Sequence, residues 1–301
     1  HLSHKYKIPI YKIGKRNETF KRDYGYECKY QNINIDKVIQ LKNILITAID
    51  KHYYEYLYLF PENTKVIIHD PTECKKNNKN KNPLVQTTDK NENILLNHFK
   101  IITIRESVQE YLINQFNVKS QFMPHPFYSY ELPKCKGLGY EYVSISRIDF
   151  DKNTDILLKS NQLVKDNKKH IYLFGAENRL YVHHKLKELN FNEFWKGKFP
   201  KNLSPTYDEC SILKDAKYMI DMSTIKGDGG GTQYTFLEAM HQDTVLILHL
   251  DWINAGSTFK SGYNCIGIST PEELADFIEK GLSDKEYKNI LMNSKKILEK
   301  H

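Results

Sequence analysis

Short apolar runs rich in β-branched residues alternate with amphipathic helical patterns along the chain. This alternation points to parallel α/β layers rather than a sandwich or a bundle. In the first half, Lys7–Ile13, Asn43–Ile49, Lys65–His69, Lys100–Thr103 and Ser120–Met123 read as buried strands. The clearest helix between them is Ser107–Asn117, where Val108, Tyr111, Leu112 and Phe116 recur at helical spacing behind a Ser cap. The second half reads as strand Glu141–Ile145, helix Thr154–Val164, strand His170–Phe174 ending at Gly175, and helix Tyr181–Leu189. Short strands Glu193–Trp195 and Tyr218–Asp221, helix Gln233–His241 and strand Thr244–Leu248 follow.

Between Pro124 and Tyr140 the residues Pro124, Pro126, Pro133, Gly137 and Gly139 interrupt every regular pattern, so this stretch is the natural linker. The expected organisation is two domains, 1–136 and 137–301, and 301 residues suffice for two such cores. The first domain lacks the opening strand and glycine loop of a nucleotide-binding α/β half, which points to a chain without its true N-terminus. The polar run Lys75–Asn82 (KKNNKNKN) cannot bury enough surface to fold by itself and reads as a loop or insertion.

Charge is uneven along the chain. Of 44 Lys+Arg and 37 Asp+Glu, residues 1–136 hold 22 and 14, and the remainder holds 22 and 23. A basic first half suits a polyanion such as double-stranded DNA, although scattered surface lysines give the same count. Five cysteines (Cys28, Cys74, Cys135, Cys210, Cys265) are odd in number and form no CxxC pair, as reduced thiols in the cytoplasm would. No apolar run approaches the ~18–20 residues of a membrane span. The start, His1-Leu2-Ser3-His4-Lys5, lacks the apolar core of a signal peptide.

Three features carry chemistry. In Gly227–His241 (GDGGGTQYTFLEAMH), glycines precede a helix whose interior carries Glu238. Backbone amides of Gly229, Gly230, Gly231, Thr232 and Gln233 could then approach an anion at a helix N-terminus, though a plain turn before a core helix has the same composition. Arg147 follows the strand Glu141–Ile145, with Lys152 five residues on, where open α/β sheets place their ligands. Such a pair neutralises a diphosphate leaving group, whereas in isolation it reads more simply as solvent-facing. The segment Val66–Pro71 sets His69 and Asp70 at a strand end, suited to orienting a hydroxyl or to capping the next turn. Arg105, Glu106 and His125 also lie at strand ends, with capping or linker roles the plainer reading.

From about Tyr6 to Leu282 the chain resembles the retaining GT-B glycosyltransferases, whose two Rossmann-like domains face each other across a cleft. The family's strand-Arg-x4-Lys element is similar to Ser144–Lys152, which implies that Arg147 and Lys152 contact a donor diphosphate. Of the family's two glutamates separated by seven residues, the second, a ribose ligand, matches Glu238. The first does not match, since Gly230 stands in its place with Asp228 nearby. Phe174–Glu177 and Lys196–Pro200 are similar to the family's strand-end glycine and base-binding loop, Gly175 being the stronger match, and a functional His is common at the position of His69. Tyr234-Thr235-Phe236-Leu237-Glu238 also resembles a helix of phage DNA α-glucosyltransferases.

The resemblance implies retaining transfer of a hexose, glucose, from a UDP-linked donor to a hydroxymethylated base in DNA. It implies no cofactor beyond that co-substrate and no divalent metal. Asp251 and Trp252 either close an edge of the donor site or serve the core. Three alternatives stay open: a protein or lipid-linked glycan acceptor, a GT-B epimerase, and a non-catalytic nucleic-acid-binding module.

Overall fold

The computed structural model describes residues 1–13, 18–21, 27–48, 54–69, 94–132, 134, 136–198, 210–224 and 231–301. Asp70, the Lys75–Asn82 run, Asp228, Gly229 and Gly230 lie outside the described residues. The chain divides into two compact units, one of His1–Phe20 and Cys28–Pro126 and the other of Lys21–Glu27 and Phe127–His301.

In the first unit, β1 (Ile10–Ile13) pairs in parallel with β3 (Glu27–Ile33), which also neighbours β2 (Glu18–Lys21). A separate sheet has the order β4 (Leu45–Ile46), β5 (Lys65–Ile68), β6 (Lys100–Thr103), β7 (Gln121–Phe122), all parallel. Val66, Ile68 and Ile101 bury one sheet face against Val108 and Leu112 of the helix Glu106–Phe116. Fully burying each such side chain contributes roughly 1.5–3 kcal/mol.

Several boundaries move from their sequence positions. Residues Leu2–Tyr6 form a helical turn ended by Lys7 in the left-handed region (φ 53), so the strand expected from Lys7 begins at Ile10. The outer strands shrink to two residues each, because an edge strand has only one neighbour to extend its ladder. Ser107 is not a cap. Arg105 occupies the N-cap position without a side-chain capping hydrogen bond, and Ser107 lies inside the first turn.

The second unit is built on a five-stranded parallel sheet. Its order is β10 (Ile171–Phe174), β9 (Tyr142–Ile145), β12 (Tyr218–Asp221), β13 (Val245–His249), β14 (Ile266–Ile268). Every residue of β9, β12 and β13 is buried, as a parallel sheet covered on both faces requires. One face packs Phe236, Leu237, Met240 and Trp252, and the other packs Leu157, Leu158, Leu274 and Ile278. The segment read as linker contains β8 (Lys136–Gly137), paired with β11 (Cys210–Ser211).

Two expectations are corrected here. Glu193–Trp195 is not a strand: Phe191–Phe194 is helical, with Phe191 and Phe194 buried at helical spacing, and only Trp195 bridges to Leu173 of β10. The helix expected at Tyr181–Leu189 starts earlier. Asn178 caps a turn at Arg179–Tyr181, which continues as a π-helical turn Val182–Leu186. The chain closes with helices Pro271–Lys280 and Asp284–Leu298, each begun by a capping box. Among the described residues, no helix is long and apolar enough to cross a membrane.

Candidate functional site

The strand order brings the C-terminal ends of β10, β9 and β12 side by side, the edge at which open α/β sheets hold ligands. Gly175 is required there by space. A Cβ at this position would stand 1.7 Å from the Ser146 carbonyl oxygen, so only glycine lets the two turns pass. Backbone bonds lace the turns into a ledge: Ser146 N–H donates to Phe174 O at 3.0 Å, Ile148 N–H to Ala176 O at 2.9 Å, and Gly175 N–H to Gly197 O at 2.9 Å. The Trp195 indole N–H donates to Gly175 O at 3.0 Å, which fixes the outer side of the ledge.

Arg147 and Lys152, both following β9, sit in contrasting surroundings. The Arg147 side chain is 63% exposed and reaches Asp149 and Asp151 at 3.3 Å each. Exposed pairs of this kind hold weakly, so a diphosphate could draw the guanidinium away from them. Lys152 is buried, and its ammonium donates to Ser223 Oγ at 2.7 Å. Ser223 Oγ in turn donates to Asp221 Oδ1, which also accepts from the Ser223 backbone N–H at 2.8 Å. Asp221 Oδ2 is buried with no hydrogen-bond partner among the described residues.

This arrangement has a local cause. Lys152 ends a short 3-10 turn, Phe150–Lys152, after which Asn153 takes the left-handed conformation at φ 45. There the Asn153 amide donates to Met222 O at 2.9 Å and Thr224 Oγ1 at 2.7 Å, stitching the turn after β9 to the turn after β12.

The helix Tyr234–His241 has Gln233 at its N-cap with no side-chain cap hydrogen bond, so the Gln233 side chain does not compete with an incoming anion for the first amides. Gly231 O accepts from the Trp252 indole at 3.1 Å, and Thr232 is buried. Trp252 therefore serves both the core and the start of this helix. Gln233 Nε2 is buried with no hydrogen-bond partner among the described residues.

Within this helix Glu238 is 4% exposed, and its Oε2 accepts from the Tyr130 hydroxyl at 2.5 Å. Burial pushes its carboxyl up to about 8, against the pull of the Tyr130 hydrogen bond and the nearby His241. Lys152 is bonded to the turn after β12, and Glu238 lies on the next described helix in the chain.

His69 belongs to the first unit, where its half-buried ring donates through Nε2 to Thr47 O at 2.7 Å. Arg105 and Glu106 begin a helix, and His125 is buried. Asp221, Ser223 and Tyr130 carry no signal of such a role in the sequence. Asp221 and Ser223 follow a short apolar strand, and Tyr130 stands in a proline-broken stretch, so neither place forms a pattern.

A groove of about 690 Å³ opens beside the π-helical turn, lined by residues including Glu177, Arg179, His183 and Lys187, and neither Lys152 nor Glu238 lines it. Among the described residues, no group of three or more His, Cys, Asp or Glu side chains is placed to hold a metal ion.

No protein-family model and no curated protein sequence matches the chain. Solved structures do. Anabaena HepE in complex with UDP is similar at a TM-score of 0.61 and 14% identity, over 89% of this chain and 81% of that one. The pneumococcal O-GlcNAc transferase GtfA, in complex with UDP and GlcNAc, is similar at a TM-score of 0.55 and 14% identity, over 85% and 53%. TarM of S. aureus, in a complex that includes UDP, follows at 0.51 and 18% identity, over 79% and 47%. With two parallel α/β units and these likenesses, the chain has the two-Rossmann-like GT-B fold.

Proposed function

We propose that the second unit, the stretch from 137 onward above all, binds a UDP-sugar and that the chain is a glycosyltransferase. One observation carries this reading: a buried lysine in the turn after the central strand β9 donates to the turn after the neighbouring strand β12, and a buried glutamate sits on a helix with no side-chain hydrogen bond from its N-cap residue. HepE, whose fold the chain shares, has been crystallised with UDP, with UDP and glucose, and with UDP-glucose.

In this reading the diphosphate lies at Arg147, Lys152 and the amides from Gly229 to Gln233, while Glu238 accepts from the ribose hydroxyls. The ledge at Gly175 meets the base through backbone groups. As the bond between the sugar's anomeric carbon and the diphosphate breaks, its electron pair moves to the leaving oxygen. Arg147, Lys152 and the helix amides stabilise the growing charge without a divalent metal or other cofactor. The acceptor hydroxyl forms the new bond on the face the diphosphate leaves, and its proton passes to the departing phosphate, which retains configuration. His69 and Asp70 of the first unit are assigned to orienting the acceptor hydroxyl.

The finer assignment is glucose as the sugar and a hydroxymethylated DNA base as the acceptor. It is supported by the Tyr234–Glu238 resemblance and by the 22 basic against 14 acidic residues of 1–136. A protein or glycan acceptor is the second reading, favoured by the fold likeness to an O-GlcNAc transferase. Incubation with labelled UDP-glucose and hydroxymethylated or unmodified DNA separates them. Label in the hydroxymethylated DNA alone is the expected result, and donor turnover with no label in either DNA overturns the DNA assignment.

A further inference from the structure

The chain crosses from the first unit to the second at Pro126–Phe127, and within four residues it places Tyr130 against the helix that carries Glu238. Tyr130 is held from two sides. Its ring lies 4.6 Å from the His241 imidazole, and His241 Nε2 donates to the Tyr130 carbonyl at 2.8 Å. Phe127 packs edge-on against the same imidazole at 5.5 Å. The phenol so fixed donates to Glu238 Oε2, which sets the plane of the carboxyl before any ligand arrives.

The placement is expensive for folding. Phe236, Leu237, Ala239 and Met240 around it are all buried, so an apolar side chain at 238 would suit the core better than a carboxyl. The hydrogen bond from Tyr130 limits that penalty and holds the carboxyl in place. A carboxyl kept in such surroundings and aimed by a second side chain has the features of a preorganised ligand group.

We propose that Tyr130 is a positioning residue for nucleotide binding, holding Glu238 ready for the ribose hydroxyls of a nucleoside diphosphate. The proposal rests on the assignment of Glu238 to the ribose given above. Tyr130 acts through Glu238 and touches no reacting atom, so its removal weakens nucleotide affinity and leaves turnover at saturating donor nearly intact.

The test titrates UDP into the full chain by calorimetry. Tyr130→Phe, which removes one oxygen, raises the UDP Kd roughly tenfold. With UDP-glucose it raises KM by a similar factor and changes kcat by about twofold or less. The double variant Tyr130→Phe/Glu238→Gln binds no more weakly than Glu238→Gln alone, since the two side chains form one unit.

Wild-type affinity in Tyr130→Phe, or losses that multiply in the double variant, overturn the proposal while leaving the donor site standing. A wild-type chain that does not bind UDP overturns the donor site itself, and the proposal falls with it. Should Tyr130→Phe fail to fold, His241→Ala serves in its place by withdrawing the bond and ring contact that steady Tyr130. Weakened UDP binding then supports the proposal and unchanged binding overturns it.

Discussion

The two ends of the candidate donor site handle buried polarity in opposite ways. After β9, the Lys152 ammonium donates to the Ser223 hydroxyl, which donates in turn to the Asp221 carboxyl. On the helix Tyr234–His241, Glu238 is surrounded by apolar side chains and receives one phenol, and burial pushes its carboxyl up to about 8. A lysine set beside a carboxyl suits a charged diphosphate. A carboxyl that is largely protonated near neutral pH suits hydroxyl groups, with which it exchanges hydrogen bonds rather than charge. The contrast between the ends is what a molecule with a charged middle and a hydroxylated arm requires.

The contrast breaks most severely at Lys152. Lys152→Met should lower kcat with UDP-glucose about 100- to 1,000-fold, the usual loss when a preorganised donor to a leaving group is removed. A drop of less than tenfold in steady-state turnover would relocate the chemistry. Asp221→Asn keeps an oxygen acceptor for Ser223 but replaces the carboxyl behind it with an amide, and should lower kcat roughly tenfold with a loss of about 1–3 kcal/mol in urea unfolding. An Asp221→Asn protein with wild-type turnover would make the Ser223 relay a packing feature only.

At the other end the expected signature is pH. The Glu238 carboxyl binds its proton more tightly in the folded protein (about 8) than at its ordinary value of 4.5. Between these values the folded state holds more protons than the unfolded one, so this group lowers stability as pH rises from 4.5 to about 8. Glu238→Gln should flatten that stretch of the stability curve, measured as urea midpoints across the range, and should weaken UDP binding roughly tenfold. Smallest of all is the effect of Arg147→Ala on the fold. The exposed pairs to Asp149 and Asp151 should contribute no more than about 0.5 kcal/mol, whereas donor affinity should still fall.

The strands at the centre of each sheet were legible in the sequence, because a buried parallel strand is a continuous apolar run. Lys100–Thr103 and Tyr218–Asp221 were placed to the residue. Glu193–Trp195 was not, because three residues fit a strand or a helical turn equally well until Phe191 is seen to pack with Phe194. The capping boxes Thr270/Glu273 and Ser283/Glu286 were present as local signals and went unread. Within the candidate site, Arg147 and Lys152 after a strand and Glu238 in the helix behind a glycine run are visible in the sequence, while their donor roles come from the family resemblance. Ser223 lies 71 positions from Lys152 and Tyr130 lies 108 from Glu238, and no local pattern links residues that far apart.

The most direct test of the donor-site assignment is calorimetric titration of UDP into the wild-type chain, Lys152→Met and Glu238→Gln, with all three folded by circular dichroism. The donor-site assignment requires saturable one-to-one binding to the wild type and clearly weaker binding to each variant. No binding to the wild type, or equal binding to all three, would contradict it.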